Sequence, residues 1–436
     1  MNETTVEKVS SARLREFYWD IHHKSGLRIF VFPKKFTTFY AVLGTRFGSI
    51  DRVFENKNGK NMLLPAGTAH FLEHKMFENA DGTNSDECFA ALGAEDNAYT
   101  SYSTTRYLFS TTRNFNECLT QLVRFVMNPY FTKKSVKKEQ GIITQEIKMG
   151  EDSPWTCGTE NMLRGLFSKS GLRDPICGSE SSILKITDKI LYSAHEAFYT
   201  PDNMALSVCG DISCNEVIEI VDRELEGISA KTAARSVQEE EPNAVHSEKT
   251  VKYMNISRPL VFFGFKDDIA GLSAKEREKR RAGMSLVNNM LFSSSGEFYN
   301  RLVSEKLVSP SFSFGYTMSR TAAYNSFFAE SDRPEYVCEL IRNELQRASK
   351  EGFSNEDFER CRRVATAGYI RLFDSAEEIA DDVMMNSWFS SCEPFEAPNT
   401  INSLTLDYCE QLLFEAFINE RSTVSLIKPF SQKGNE

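Results

Sequence analysis

The pentapeptide His70-Phe71-Leu72-Glu73-His74 constrains this chain more than any other stretch. In an α-helix at about 100° per residue, Glu73 lies about 60° to one side of His70 and His74 about 40° to the other, so the three side chains share one face. Two imidazoles spaced in this way can bind one metal ion, and the carboxylate between them can reach a metal-bound water without being a ligand itself. The stretch therefore predicts half of a metal site.

The order H-x-x-E-H is a zinc peptidase motif. Because the chain contains only 6 histidines, we expect this pattern by chance in under about one such sequence in a hundred. A catalytic zinc ion has three protein ligands and keeps its fourth position open. A carboxylate, histidine or thiolate on a second element should therefore complete the site.

The segment from Lys133 to Glu151 is the candidate second element. It is predicted to be a helix with Thr132 as its N-cap. Its apolar stripe consists of Val136, Ile143 and Ile147. Glu139 and Glu146 lie two turns apart at the border of this stripe, where a carboxylate is costly unless a cation or hydrogen bonds satisfy it. This spacing favours metal coordination over simple exposure to solvent.

The combination of His70, Glu73 and His74 with the later pair Glu139 and Glu146 resembles the insulinase/pitrilysin family of zinc metallopeptidases, which includes the mitochondrial processing peptidase. The resemblance implies one Zn²⁺ per chain. It also implies that His70, His74 and Glu146 are the zinc ligands, that Glu73 is the general base, and that Glu139 is a supporting carboxylate on the active-site helix.

Glu151 is a rival for the third ligand position, because Glu146 follows His74 at a spacing slightly shorter than is common in the family. However, Gly150 and the following Asp-Ser-Pro predict that the helix ends near Glu151. This prediction favours Glu146.

A second signature of the same family, Asn-Ala-x-Thr, is matched by Asn97, Ala98 and Thr100 in a run whose alternation predicts a strand. The resemblance implies that this strand is a sheet edge and that these three residues bind the substrate. A peptide added there would gain main-chain hydrogen bonds without regard to its sequence. Earlier, Leu27–Phe32 and Thr38–Phe47 are predicted to be two strands joined by a turn.

The resemblance further implies an α+β fold of two homologous α/β-roll domains, each a mostly antiparallel sheet with helices packed on one face. We expect a zinc-bearing catalytic domain at 1–229, a charged linker at 230–250, and a degenerate copy at 251–436. No histidine follows His246. The second domain therefore cannot repeat the zinc site.

The second half departs from the family pattern. In active members it supplies an Arg and, about two turns later, a Tyr that hold the substrate backbone. Here Ser304 and Ser311 align best with those positions, although Arg301, Phe312 and Tyr316 lie nearby. This arrangement resembles the zinc-bearing subunit of two-chain bacterial relatives. It implies a heterodimer with a zinc-less homologous subunit, with a homodimer as the alternative.

The charge, the apolar runs and the cysteines of the sequence limit the classes of partner and the cellular compartment that we expect. The formal net charge of −10 argues against nucleic acid as a partner. The N-terminus has no apolar signal-like region and no run is long enough to span a bilayer, which predicts a cytoplasmic protein without a membrane partner. The 10 cysteines include no C-x-x-C pair and are expected to be free thiols.

These observations predict a zinc metalloendopeptidase that cleaves peptides or processes a peptide precursor as one subunit of a two-chain complex. The alternative is a non-catalytic assembly or scaffold subunit that retains a structural zinc ion. The intact Glu73 speaks against this alternative, since a structural site needs no base. The missing Arg and Tyr speak for it.

Overall fold

The computed structural model describes residues 3–55, 59–228 and 232–432. Its strands follow the β-branched and aromatic runs of the sequence. They are β1 Thr5–Ser11, β2 Glu16–His22, β3 Arg28–Pro33, β4 Phe39–Thr45, β5 Val53–Glu55, β6 Asn61–Leu63, β7 Ala94–Thr100, β8 Thr105–Thr111, β9 Met204–Gly210, β10 Arg235–Ser236, β11 Lys249–Met254, β12 Leu260–Asp267, β13 Ser313–Met318, β14 Ala323–Glu330 and β15 Ser422–Pro429.

The α-helices are α1 Thr68–Met76, α2 Ser85–Leu92, α3 Phe115–Met127, α4 Lys133–Asp152, α5 Pro154–Leu166, α6 Glu180–Ile183, α7 Asp188–Phe198, α8 Cys214–Glu224, α9 Ala274–Phe292, α10 Glu297–Ser304, α11 Pro334–Glu351, α12 Asn355–Arg371, α13 Asn386–Ser390, α14 Ala397–Ser403 and α15 Leu406–Ala416. A π-helix spans Glu378–Met385. Short 3₁₀ turns lie at Gly171–Arg173, Pro201–Asn203, Leu372–Asp374, Pro394–Glu396, Asn419–Arg421 and Phe430–Gln432.

The chain forms two compact units. Unit 1 contains residues 1–147, 175–237 and 370–395, and unit 2 contains 148–174, 238–369 and 396–436. These units differ from the predicted domain boundaries in two segments: residues 148–174 belong to the second unit and residues 370–395 to the first.

Unit 1 contains a seven-stranded sheet in the order β1-β2-β3-β9-β4-β8-β7, and its described strands include a small second sheet, β10-β5-β6. The predicted strands β3 and β4 both form, but they do not pair with each other. Instead β9 lies between them, parallel to β3 and antiparallel to β4. All seven residues of β9 are buried, as expected for a central strand that is covered on both faces.

Different helices pack against the two faces of this sheet. Ala41 and Leu43 of β4 belong to the main core of unit 1 together with residues of α1, α3 and α7. The alternate residue Gly44 faces Met385 of the π-helix, where a Cβ atom would meet the Met385 methyl group. A segment near the end of the chain therefore covers part of the face that the helices leave open.

Unit 2 contains a five-stranded sheet in the order β11-β15-β12-β14-β13. Its outer pair β11 and β15 is parallel, and its other neighbours are antiparallel. The sheet of unit 1 has the same order and the same directions from β3 to β7. Both units combine mostly antiparallel sheets with helices, so the predicted α+β class is confirmed.

Close packing explains why α5 belongs to unit 2. A Cβ atom at Gly158 would collide with the ring of Phe262 on β12, and one at Gly165 would collide with the hydroxyl of Thr423 on β15. The two glycines are separated by two helical turns, so they present one backbone face to this sheet. The predicted first domain, 1–229, included α5.

Residues 232–250 of the predicted linker contain the short strand β10 and the start of β11, and residues 230 and 231 lie outside the described residues. Glu241 accepts hydrogen bonds from the main-chain N–H groups of Ser168 at 2.9 Å and Ser170 at 2.6 Å, and from Lys266 Nζ at 2.8 Å. These bonds fix the part of the segment from residue 238 onward within unit 2, whereas residues 232–237 belong to unit 1. In the described ranges, no helix is long and apolar enough to cross a membrane.

Candidate functional site

Helix α1 carries the histidine motif. It begins after Gly67, whose φ of 88° is accessible mainly to glycine and whose missing side chain leaves room for the carbonyl of Cys177. Phe71 and Leu72 are fully buried in the core of unit 1. This packing anchors the helix and fixes the direction of the face with His70, Glu73 and His74.

Helix α4 carries the two candidate carboxylates. Thr132 caps it, because its hydroxyl accepts a hydrogen bond from the N–H of Ser135 at 3.1 Å. Its buried residues are Val136, Glu139, Gln140, Ile143 and Ile147. The predicted stripe is therefore correct. Gln140 fastens the helix further, since its amide nitrogen donates to the carbonyl of Ile186 at 3.0 Å.

His70, His74 and Glu146 come together, with one ligand atom from each lying within 4.8 Å of the others. Nε2 of His70 is 3.4 Å from Oε1 of Glu146, and Nε2 of His74 is 3.7 Å from Oε2. Ligand atoms about 2.1 Å from a tetrahedral zinc ion lie roughly 3.4 Å apart. Two imidazoles and a carboxylate at these separations therefore fit a zinc ion. Among the described residues, this group includes Glu146 and not Glu151.

The two histidines have different environments. Burial, together with the nearby His74, lowers the pKa of His70 to about 4. Burial also lowers the pKa of His74, but Glu139, Glu73 and Glu146 together outweigh it and raise the net value. The lowered pKa of His70 favours the neutral imidazole, which is the form that binds a metal.

Glu139 forms a hydrogen bond with the ring nitrogen of His74 that faces away from Glu146. Nδ1 of His74 lies 3.1 Å from Oε1 of Glu139. Glu139 is buried, which raises its pKa, but the hydrogen bond and charge of His74 outweigh this effect and lower the net value. Glu139 thus favours the His74 tautomer that carries its proton on Nδ1, which leaves Nε2 free to bind a metal.

Glu73 is buried beside the two histidines and contacts the edge strand. The hydroxyl of Thr100 donates to its Oε2 at 2.5 Å. Burial raises the pKa of Glu73, and the Thr100 bond opposes this shift only in part. A carboxylate with a raised pKa is a stronger base than an exposed glutamate.

Buried hydroxyl groups that the sequence reasoning did not assign to the site lie beyond Thr100. The oxygens of Thr100 and Thr105 are 3.3 Å apart, and Thr105 donates to the carbonyl of Phe47 at 2.9 Å. The hydroxyls of Tyr107 and Tyr199 are 2.9 Å apart. The period of two in β8 places Thr105 and Tyr107 on one face. No comparable pattern points to Tyr199.

The strand β7, which carries Asn97, Ala98 and Thr100, is the last strand in its sheet. The N–H of Ala98 donates to Oδ1 of Asn97 at 2.8 Å, while the N–H of Ser101 donates to the carbonyl of Thr104 at 2.8 Å. Because inward and outward main-chain groups alternate along an antiparallel ladder, Ala98 and Thr100 present theirs to the open edge.

The opposite face of this hairpin binds the π-helix. Tyr99 donates to Oδ2 of Asp381 at 2.8 Å. Arg106, the cross-strand neighbour of Tyr99, forms an ion pair with Asp381 and donates to Oδ1 of Asn386 at 2.6 Å. No spacing in the sequence indicates these contacts, and they were not predicted.

The second-half residues that replace the family's Arg and Tyr make local contacts. The hydroxyl of Ser304 donates to the carbonyl of Arg301 at 3.1 Å, and that of Ser311 is 2.5 Å from the Ser309 hydroxyl. Tyr316 donates to the buried carboxylate of Asp267 at 2.6 Å. Tyr316 therefore has a structural partner within its own unit.

Comparison with known proteins agrees with this geometry. The profile of the insulinase family, peptidase family M16, matches residues 64–180, and the profile of the peptidase M16 inactive domain matches 185–364. A Bacillus subtilis protein described as an uncharacterized zinc protease, YmfH, is 33% identical over 433 residues, which cover 98% of this chain and 100% of that protein.

Solved structures share the fold. An M16-like peptidase from Alicyclobacillus acidocaldarius superimposes with a TM-score of 0.89 and 26% identity, covering 98% of this chain and 99% of that one. A protease from Helicobacter pylori gives a TM-score of 0.82 at 17% identity, covering 98% of this chain and 100% of that one. With its two matched profiles and its full-length relative, this chain belongs to the insulinase family of peptidases, family M16.

Proposed function

We propose that this protein is a zinc metalloendopeptidase that cleaves peptides or processes a peptide precursor. The observation that carries the proposal is the position of Glu73, a buried carboxylate between two histidines whose Nε2 atoms converge with Glu146. A base held beside such a donor set has a role in hydrolysis and none in a purely structural metal site. The proposal includes one zinc ion per chain, held by His70, His74 and Glu146.

In the proposed hydrolysis each site residue has a separate role. When bound, Zn²⁺ supplies Lewis-acid polarisation of the scissile carbonyl and of the attacking water. Glu73 takes the proton of that water and passes it to the leaving amine. The edge-facing main-chain groups of Thr100 and the edge-facing carbonyl of Ala98 align the peptide as an added strand. Glu139 keeps His74 in the metal-binding tautomer.

Replacement of Glu73 by Gln tests the proposal. The change preserves shape and removes the base, so Glu73→Gln should keep its zinc and its unfolding temperature while peptide hydrolysis is lost. The assay is cleavage of an unstructured peptide library read by mass spectrometry, with metal content measured on the same samples. Near-normal turnover in the variant would refute the assigned mechanism.

A matched pair of variants tests the third ligand. Glu146→Gln should weaken zinc binding, whereas Glu151→Gln should retain it, because only Glu146 lies with the two histidines. Loss of zinc in Glu151→Gln together with its retention in Glu146→Gln would transfer the ligand role to Glu151.

We also propose that the active form is a complex with a zinc-less homologous subunit, with a homodimer as the alternative. The motivation is the missing Arg and Tyr pair and the engagement of Tyr316 with Asp267. Correct orientation of a substrate contributes several orders of magnitude in rate. The isolated monomer should therefore be a poor peptidase that gains activity with the homologue. Turnover of about 1 s⁻¹ or more by a monomer, verified by light scattering, would contradict this proposal.

One finding favours a second candidate function, a non-catalytic scaffold with structural zinc. Residues 185–364 match a profile named for an inactive domain. A scaffold would bind peptide or partner and retain zinc, but Glu73→Gln would then change nothing measurable. If the wild type hydrolyses peptides and Glu73→Gln does not, the peptidase function is supported and the scaffold function is excluded.

A further inference from the structure

We propose that Thr100 is a positioning residue that orients the Glu73 carboxylate before substrate binds. This inference rests on the proposed peptidase function, but it assigns Thr100 a role beyond substrate binding. It is carried by the 2.5 Å hydrogen bond between the Thr100 hydroxyl and Oε2 of Glu73.

The direction of this bond follows from its acceptor, because an ionised carboxylate has no proton to donate. Thr105 uses its only proton in the 2.9 Å bond to the carbonyl of Phe47, so it has none left for Thr100. Thr100 is the donor to Glu73, and a hydroxyl that donates to a carboxylate forms a strong, charge-assisted bond. With Oε2 fixed in this way, Oε1 is the oxygen available for the attacking water.

The hairpin that carries Thr100 is held in place on several sides. The N–H of Ser49 donates to the carbonyl of Ser101 at 3.1 Å. Gly48 approaches the turn so closely that a Cβ atom there would meet the main chain of Tyr102 and Ser103 at 2.5 Å. The neighbouring Tyr99 is bound to Asp381 through its hydroxyl. These contacts give the Thr100 hydroxyl a defined position before any substrate binds.

Thr100 takes part in two different interactions. Its hydroxyl forms the hydrogen bond to Glu73, and its main-chain groups face the open edge of β7. A peptide that adds to this edge forms main-chain hydrogen bonds beside Thr100, and these restrict the same residue that orients Glu73. Substrate binding and base orientation thus meet in one residue.

Three variants separate this role from a general effect on folding. Thr100→Val keeps the β-branched shape and removes the hydroxyl, and Thr100→Ser keeps the hydroxyl. Thr111→Val is the matched control, because Thr111 is a buried threonine of the same hairpin and donates to the carbonyl of Arg113 at 2.7 Å, at the other end of β8. All three are compared with wild type as the zinc-loaded full chain, with its homologous subunit added if activity requires it.

The first readout is kinetic. Thr100→Val should lower kcat by roughly 10- to 100-fold, the range expected for a lost hydrogen bond to a charged group, with KM and zinc content within about twofold of wild type. Thr100→Ser should recover most of kcat, and Thr111→Val should leave it unchanged. An unchanged kcat in Thr100→Val, or a loss in Thr100→Ser equal to that in Thr100→Val, overturns the proposal.

The second readout does not need activity. In crystal structures of the zinc-loaded proteins, the Glu73 carboxylate should be ordered in wild type and Thr100→Ser and displaced or disordered in Thr100→Val. An identical, ordered carboxylate in Thr100→Val overturns the positioning role. If the wild type hydrolyses no peptide under any condition, the proposed function fails, and this structural comparison still decides the role of Thr100.

Discussion

Nδ1 of His74 lies 3.1 Å from Oε1 of Glu139, although the two residues belong to different helices. Each shifts the other's pKa toward the charged form, since Glu139 raises the pKa of His74 and His74 lowers that of Glu139. Metal-bound histidines are commonly oriented in this way by a carboxylate that is not itself a ligand. The pair therefore bears directly on metal affinity.

Glu139→Gln should reduce zinc affinity by about 10- to 100-fold, the usual effect of losing such a partner. Competition with a chromophoric chelator measures the change. Ile142→Ala is the control, because Ile142 is exposed on the same helix. Equal affinities in Glu139→Gln and wild type would show that Glu139 has no influence on the metal.

The ion pair between Arg106 and Asp381 should stabilise unit 1. Both side chains are largely buried, with exposed fractions of 6% and 13%. Asp381→Ala leaves the guanidinium without its charged partner and should cost about 3–5 kcal/mol of unfolding free energy. The double variant Arg106→Met, Asp381→Ala removes both charges and should be more stable than Asp381→Ala alone. Urea unfolding measures both, and equal stability of the single variant and wild type would contradict the prediction.

Acid should destabilise the protein partly through His195. This side chain is 8% exposed and stacks on Tyr199, and burial lowers its pKa to about 4. The unfolded chain binds a proton below about pH 6.5, whereas the folded state binds it only near pH 4. The contribution of His195 is therefore present above pH 6.5 and is lost as the pH falls toward 4, in total about 3 kcal/mol.

The test for His195 compares wild type with His195→Gln by urea unfolding at pH 7.5 and pH 4.5. The variant should lose less stability between the two pH values, because Gln does not titrate. If both proteins lose the same amount, His195 does not contribute to acid sensitivity.

Gly158 and Gly141 should respond in opposite directions to alanine. At Gly158 a methyl group would collide with the ring of Phe262, so Gly158→Ala should destabilise unit 2 by about 1–3 kcal/mol. At Gly141, a helical position with nothing within 4 Å of an added Cβ, alanine should stabilise the protein by up to about 1 kcal/mol. Calorimetry measures both shifts. Stabilisation by Gly158→Ala would show that α5 does not pack as closely as described.

The arrangement of His70, Glu73 and His74 could be predicted from the sequence because helical periodicity acts over a few residues. The same reasoning located helix α4 and its buried stripe, since Val136, Ile143 and Ile147 are spaced for one face of a helix. The two elements that carry the proposed metal ligands are thus each determined by local patterns of side chains. Their family resemblance then indicated that they belong together.

Other features depend on contacts between distant segments, and only the tertiary structure decided them. β9 separates β3 from β4, although these two strands are neighbours in the chain. Asp381 reaches the edge hairpin through Tyr99 and Arg106, and the hydroxyl of Thr100 bonds to Glu73 from another element. The physical reason is that strand order and helix docking are set by the burial of whole surfaces, which the local pattern of any one segment does not specify.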